Sequence, residues 1–156
     1  MTDLVARDAT VDDVAELVRL RALMFESMGI DASDPAWRSA CTAHLQLLGT
    51  DTLLGAVVDA PSGEGLVASG LVELNRRIPN PISPNGRVAY ISSVCTDQAW
   101  RRRGAARLVM EHLLDLVRAT DVTTVDLHAT DVGAGLYVEL GFVPRAQREF
   151  RLQLRP

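Results

Sequence analysis

Apolar positions recur along the chain in two rhythms, and where the rhythm changes a strand is expected to give way to a helix or the reverse. Val11, Val14, Leu17/Val18, Met24/Phe25 and Met28 fall at helical spacing behind Thr10-x-x-Asp13, which has the form of a capping box, and Gly29 is the expected stop. Asp34-Pro35 sets an N-cap residue before proline at the first helical position; Trp37, Cys41, Leu45 and Leu48 continue a second helix to Gly49. Residues 4–7 read as a short first strand. Residues 53–59 and 66–74 are β-rich and flank Ala60-Pro61-Ser62-Gly63-Glu64-Gly65, which predicts an antiparallel hairpin. Pro79, Pro81 and Pro84 suppress helix and ladder alike across 75–86, so a stiff excursion is expected there.

The second half repeats the alternation. Residues 87–96 predict a strand and 105–118 an amphipathic helix, with Leu108/Val109, His112/Leu113 and Leu116/Val117 as its buried stripe. Residues 122–128 return to strand. Thr130 and Asp131 can cap a short helix running to Leu140, with Gly141 at a left-handed position beyond its end and Phe142 folding back on the last turn. Residues 149–154 predict a closing strand. The order β-α-α-β-β-β-α-β-α-β places the chain among α/β (α+β) folds, as one domain over residues 1–156.

Composition narrows the function. With 47% hydrophobic and 23% charged residues the chain reads as an ordinary globular protein, and its apolar runs fall far short of the roughly 20 residues of a membrane span. Met1 to Asp8 lack a basic stretch followed by an apolar one, so a cytoplasmic location is expected. A net charge of −4 argues against nucleic acid as a partner. Cys41 and Cys95 have neither disulfide nor metal spacing and are expected as buried free thiols; no metal is expected. All 16 basic side chains are arginine, so the chain has no lysine of its own to acylate.

The junction at 94–107 carries the chemistry. Arg101, Arg102, Arg103 and Gly104 precede Ala105, Ala106 and Arg107, so the first helical turn can present free N–H groups, with partial positive charge, to an anion such as pyrophosphate. Arg101-x-x-Gly104-x-Ala106 resembles the Q/R-x-x-G-x-G/A signature of the GNAT superfamily of N-acetyltransferases. Thirty residues on, Leu136-Tyr137-Val138-Glu139-Leu140-Gly141-Phe142 is similar to that family's L-Y-x-x-L-G-F segment. The element order is also the family's, although only residues 90–142 carry specific motifs.

What the resemblance implies is acetyl-CoA as donor, CoA as co-product, and a mixed, mostly antiparallel sheet with helices on both faces. Its one parallel strand pair splays to admit the pantetheine arm. By resemblance, Val94 and Thr96 pair with pantetheine amides, and a main-chain N–H at Val94 or Cys95 polarises the thioester carbonyl. The loop at 101–107 cradles the pyrophosphate. Tyr137 stands where the family's tyrosine lies near sulfur; a phenol, with a pKa near 10, can donate to a departing thiolate of pKa near 8.5. Two departures stand out. Thr130 occupies the place of an asparagine that contacts the cofactor, and Tyr90 and Ser92 stand where many relatives have a glutamate base. Glu73, on the adjacent strand, is the carboxylate candidate for that base. His44, His112 and His128 read as structural. Acceptor choice is assigned to the first two helices and the proline loop.

The expected activity is transfer to a primary amine of a small molecule. Peptide or protein acetylation, and an acyl-CoA-binding regulatory module without turnover, are the alternatives. Exposed strand edges near the C-terminus leave room for a homodimer.

Overall fold

The computed structural model describes residues 3–156. Helix α1 (Val14–Ser27) grows from a 3-10 turn at Val11–Asp13 through the anticipated capping box. Asp13 Oδ2 accepts the Thr10 N–H at 2.8 Å, and Thr10 Oγ1 accepts the Asp12 N–H at 3.3 Å. The helix stops in a hydrogen-bonded turn, Gly29 N–H to Glu26 O and Ile30 N–H to Phe25 O, both 3.0 Å. Helix α2 (Pro35–His44) begins at Asp34, whose carboxylate accepts the Ala36 N–H at 2.8 Å.

Five strands form one sheet in chain order: β1 (Ala6–Asp8), β2 (Leu53–Asp59), β3 (Leu66–Arg76), β4 (Arg87–Thr96) and β5 (Thr124–Leu127). The first four pair antiparallel; β4 and β5 are parallel, with helix α3 (Ala105–Arg118) as their crossover. Strand alternation sends side chains to two cores. Ala56, Val58, Val72, Ala89 and Ile91 meet Val109, Met110 and Leu113 of α3 on one face, and Leu53, Val57 and Leu71 meet Leu17, Leu20 and Leu45 on the other. The anticipated mixed sheet with helices on both faces is thus present. No helix among the described residues is long and apolar enough to cross a membrane.

Several expectations need correction. The second helix, expected to run to Gly49, ends at His44 and gives way to a 3-10 turn at Leu45–Leu47. The first strand lies at Ala6–Asp8 rather than 4–7, because β2 ends at Asp59 and the outermost pair it offers is Ala6 with Val58. The strand expected at 122–128 shortens to Thr124–Leu127, where its pairing with β4 begins and ends. The buried stripe of α3 is Val109, Met110, Leu113, Leu114 and Val117; His112 turns to the rim and meets the Asp8 carboxylate of β1 at 2.6 Å.

The closing strand expected at 149–154 is absent. Residues 143–156 form no regular element, and Phe150, Leu152 and Leu154 are 91%, 82% and 84% exposed. Their alternation is a strand signal, but a strand needs a partner edge, and this segment is tethered only by side chains, Arg145 to Asp126 at 3.5 Å and Glu149 to His128.

Candidate active site

Strand β4 is where the two halves of the site meet. From Val88 to Ile91 it pairs with β3 on one side and β5 on the other, the last β5 partner being Leu127. Beyond Ile91 it runs on to Thr96 with β3 alone. On the β5 side, Ser92 to Thr96 have no strand partner among the described residues, the arrangement an extended ligand can complete.

A bulge sharpens the divergence. Leu71 pairs with Ser92 and Ser69 with Cys95, so Ser93 and Val94 together oppose the single residue Gly70. Ser93 takes up the extra length in the left-handed region, at φ 56°, and its buried Oγ has no hydrogen-bond partner. A side chain at Gly70 is excluded by α3, since a Cβ there would lie 2.7 Å from Val109 Cγ1 and 2.8 Å from Leu113 Cδ1. The missing side chain lets α3 sit directly beneath the bulge. Across it the facing reverses: Ser92 and then Cys95 look toward α1 and α2, while Val94 packs into the core under α3. Cys95 approaches Ser69 Oγ at 3.6 Å, and burial pushes its thiol pKa up to about 11.

The chain leaves β4 through Asp97, whose carboxylate accepts the Ala99 N–H at 3.1 Å and meets Arg19 at 3.1 Å, fixing the loop to α1. Arg101 Nε reaches Thr96 O at 3.5 Å, Arg102 adopts φ 61°, and the Arg103 guanidinium lies 4.8 Å over the Trp100 ring. Gly104 caps α3 at φ 82°, and the first helical bond is Leu108 N–H to Gly104 O at 3.1 Å. The N–H groups of Ala105, Ala106 and Arg107 precede it and have no intrahelical acceptor. The Arg107 side chain is engaged with Glu139 and with Glu111, so the cation at this turn is already committed to protein carboxylates.

Helix α4 (Ala134–Glu139) holds Tyr137. The anticipated side-chain cap is replaced by the Thr130 carbonyl, which accepts from Gly133 and Ala134 N–H at 3.0 and 3.1 Å. The stop matches expectation: Gly141, at φ 98°, donates to Val138 O, and Phe142 N–H donates to Tyr137 O. Phe142 thereby meets the Tyr137 ring edge-on at 6.1 Å. Tyr137 packs against the same core as Val94, and burial raises its pKa above the ordinary phenol value, so it holds its proton at neutral pH.

On the opposite face of the sheet lies a cavity of about 430 Å³. Leu71, Glu73 and Ser92 line it from the sheet, Phe25 and Ile30 from the end of α1, and Trp37 from α2. Glu73, half-buried, therefore faces this open cavity. The proline loop does not line this cavity; it follows β3 at the far end of β4 from the bulge and folds on itself, with Arg77 N–H on Gly86 O at 2.8 Å.

One constellation arises only in the folded chain. Tyr90, the cross-strand neighbour of Glu73, is hydrogen-bonded through Oη to His128 Nδ1, and His128 Nε2 meets Glu149. Burial first, then the nearby carboxylates of Glu149 and Glu73, raises the Tyr90 pKa. Only the parallel register, which sets Tyr90 beside Asp126, brings residue 128 within reach.

Comparison with known proteins bears on this geometry. The model of the acetyltransferase (GNAT) family matches residues 17–142. The probable glucosamine 6-phosphate N-acetyltransferase 2 of Oryza sativa subsp. japonica is 27% identical over 108 residues, which is 69% of this chain and 63% of that protein. The match thus spans less than two-thirds of that relative's length. Among solved structures, a "predicted acetyltransferase" with acetyl-CoA from Clostridium acetobutylicum superposes with a TM-score of 0.83 at 19% identity, covering 97% of both chains. Glucosamine-6-phosphate N-acetyltransferase from Arabidopsis thaliana gives 0.75 at 14% identity, over 97% of this chain and 99% of that one.

Proposed function

Since the chain belongs to the acetyltransferase (GNAT) family, we propose that it is an acyltransferase using acetyl-CoA and acetylates a primary amine of a small molecule by direct attack while donor and acceptor are bound together. The observation that carries this reading is the departure of β4 from β5 after Ile91, followed within the same segment by the bulge at Ser93 and the arginine loop leading into α3.

When bound, acetyl-CoA supplies an activated acyl carbon: the amine nitrogen forms the C–N bond as the C–S bond breaks, giving an acetamide and CoA. In this reading the open edge of β4 from Val94 to Thr96 takes the pantetheine arm. The N–H groups of Gly104 to Arg107 receive the pyrophosphate, with Arg101, Arg102 and Arg103 adding charge-assisted contacts of about 1.5–3 kcal/mol each. A main-chain N–H at Val94 or Cys95 donates to the carbonyl oxygen as it gains negative charge; a donor of this kind is worth about 3 kcal/mol elsewhere. Tyr137 gives its proton to the departing sulfur, and Glu73 accepts the proton that the amine must lose. Thr130 supports the cofactor side only through its carbonyl, which holds the start of α4.

The test is thiol release from acetyl-CoA over a panel of amines, alongside thermal shift. Tyr137→Phe is expected to lower turnover tenfold or more while leaving stabilisation by acetyl-CoA intact. Unchanged turnover removes the proton-donor role. Stabilisation without thiol release for any amine or peptide would instead mark a binding module.

A homodimer in the cytoplasm is part of the same reading, supported by the exposed Phe150, Leu152 and Leu154 and by the outer edge of β5, which no strand covers. Sedimentation as a monomer at micromolar concentration would remove the dimer.

A further inference from the structure

The cavity beside β4 has a chemistry of its own. Leu45, Leu53 and Leu71, each at most 5% exposed, form its floor. Phe25 and Trp37 meet edge to face at 5.8 Å and 85° and form a wall. The one polar atom of the Trp37 ring is already used, since Nε1–H donates to Ala32 O at 3.2 Å, so the indole offers the cavity an apolar surface. None of the residues of α2 is fully buried, and this helix leaves space above the sheet instead of filling it.

The charged groups are few and unevenly free. Arg21 lies 5.0 Å over the Phe25 ring. The Asp31 carboxylate accepts the Ser33 N–H at 2.9 Å, and hydrogen bonds to Ser33 hold its pKa below the ordinary value. Glu73 makes no ion pair with any described residue and is the carboxylate left to face a ligand. Two carboxylates against one ring-stacked guanidinium and the His44 imidazole disfavour a phosphate, which calls for several converging N–H donors.

Register gives the cavity a direction. Leu53, Glu73 and Tyr90 form one cross-strand row, and Gly55, Leu71 and Ser92 the next. Neighbouring strands lie about 4.8 Å apart, so the apolar end at Leu53 is roughly 10 Å from the β4 edge where the acyl group would arrive. An amine nitrogen near Glu73 and Ser92 leaves room over Leu71 and Leu53 for a single ring on a short linker.

Resting on the transferase reading above, we infer that the acceptor is a primary amine carrying an apolar, ring-sized body, and that this cavity excludes a sugar phosphate. The ring lies against Trp37 and Phe25, the ammonium is drawn to Glu73, and proton loss to that carboxylate frees the nitrogen lone pair for attack.

The experiment uses three acceptors in the thiol-release assay: 2-phenylethylamine, 2-aminoethanol and glucosamine 6-phosphate. We expect kcat/KM for 2-phenylethylamine to exceed both others at least tenfold. Trp37→Ala should bring its preference over 2-aminoethanol toward parity, chiefly by raising KM, and Trp37→Phe should retain most of it. Phe25→Leu gives the same readout if Trp37→Ala does not fold. Preference for glucosamine 6-phosphate, or a preference indifferent to these substitutions, overturns the inference while leaving acetyl transfer intact. If no amine releases thiol, the transferase reading fails and titration calorimetry decides the cavity separately. Binding of 2-phenylethylamine that is lost in the variants upholds the apolar site; its absence in the wild type overturns it.

Discussion

Ser93 combines two unfavourable features, and each can be removed separately. Its left-handed backbone, at φ 56°, costs an L-residue about 1–2 kcal/mol, and its buried Oγ, without a partner, costs on the order of 1 kcal/mol more. Ser93→Ala keeps the strain and removes the hydroxyl, so a gain of about 1 kcal/mol is expected. Ser93→Gly removes both, set against roughly 0.5–1 kcal/mol of extra unfolded-chain entropy, and is expected to gain about 1–2 kcal/mol. In a chain of this size each kcal/mol moves Tm by about 2–4 °C. Urea unfolding monitored by circular dichroism reads the effect as a rise in midpoint at constant m. Turnover should move the other way, because glycine releases the bulge that fixes the N–H groups of Val94 and Cys95. A fall in stability of 1 kcal/mol or more for both variants would refute the reasoning, since it would mean that the hydroxyl is satisfied and the bulge relaxed.

Three further outcomes are expected. Arg7 makes paired hydrogen bonds to Asp13 and Asp59, holding both carboxylates below their ordinary pKa, so the stability they add is complete above about pH 4 and is lost as pH falls through the folded values. Arg7→Met should cost about 1–2 kcal/mol at pH 7, discounted for the exposure of the arginine, and its melting curve should converge on the wild type's below that pH; a gap unchanged at pH 3 would refute this. Cys95, with its pKa raised to about 11 by burial, should resist a thiol reagent at pH 8 in a Cys41→Ser background until urea unfolds the protein; prompt labelling would contradict it. Gly141→Ala forces φ 98° on an L-residue at the end of α4 and should cost about 1–2 kcal/mol in a urea melt, with turnover reduced through Tyr137; a neutral result would show that the turn can reshape.

The sequence was most legible where one local rule decides the outcome. Thr10 with Asp13, Asp34-Pro35, Gly29 and Gly141 each mark a helix end that depends on hydrogen bonds within a few residues, and each appears where the pattern places it. Strands β2 and β4 and helix α3 match to the residue, because turn-forming or glycine-bearing stretches delimit them. What stayed hidden depends on register. The bulge cannot be seen in Ile91-Ser92-Ser93-Val94-Cys95, since it exists only relative to Gly70 on another strand. The Tyr90–His128–Glu149 cluster and the cavity-facing position of Glu73 are hidden for the same reason. Residues 149–154 fail in the opposite way: the alternation is genuine, but the segment forms no ladder with the free edge of β5, beside which only side chains at Asp126 and His128 hold it.

The bulge also determines which kinds of change the region tolerates. Side chains at 92–96 can be exchanged for others of similar size, because β3 is held there through backbone bonds. Losing Ser93 would leave Val94 alone opposite Gly70 with Cys95 still paired to Ser69, so the later side chains of β4 keep their faces while the bulge and its left-handed backbone disappear. Descendants of this chain are therefore free to vary in composition along this segment, and a single-codon deletion there removes the bulge while leaving each later side chain of β4 in its own core.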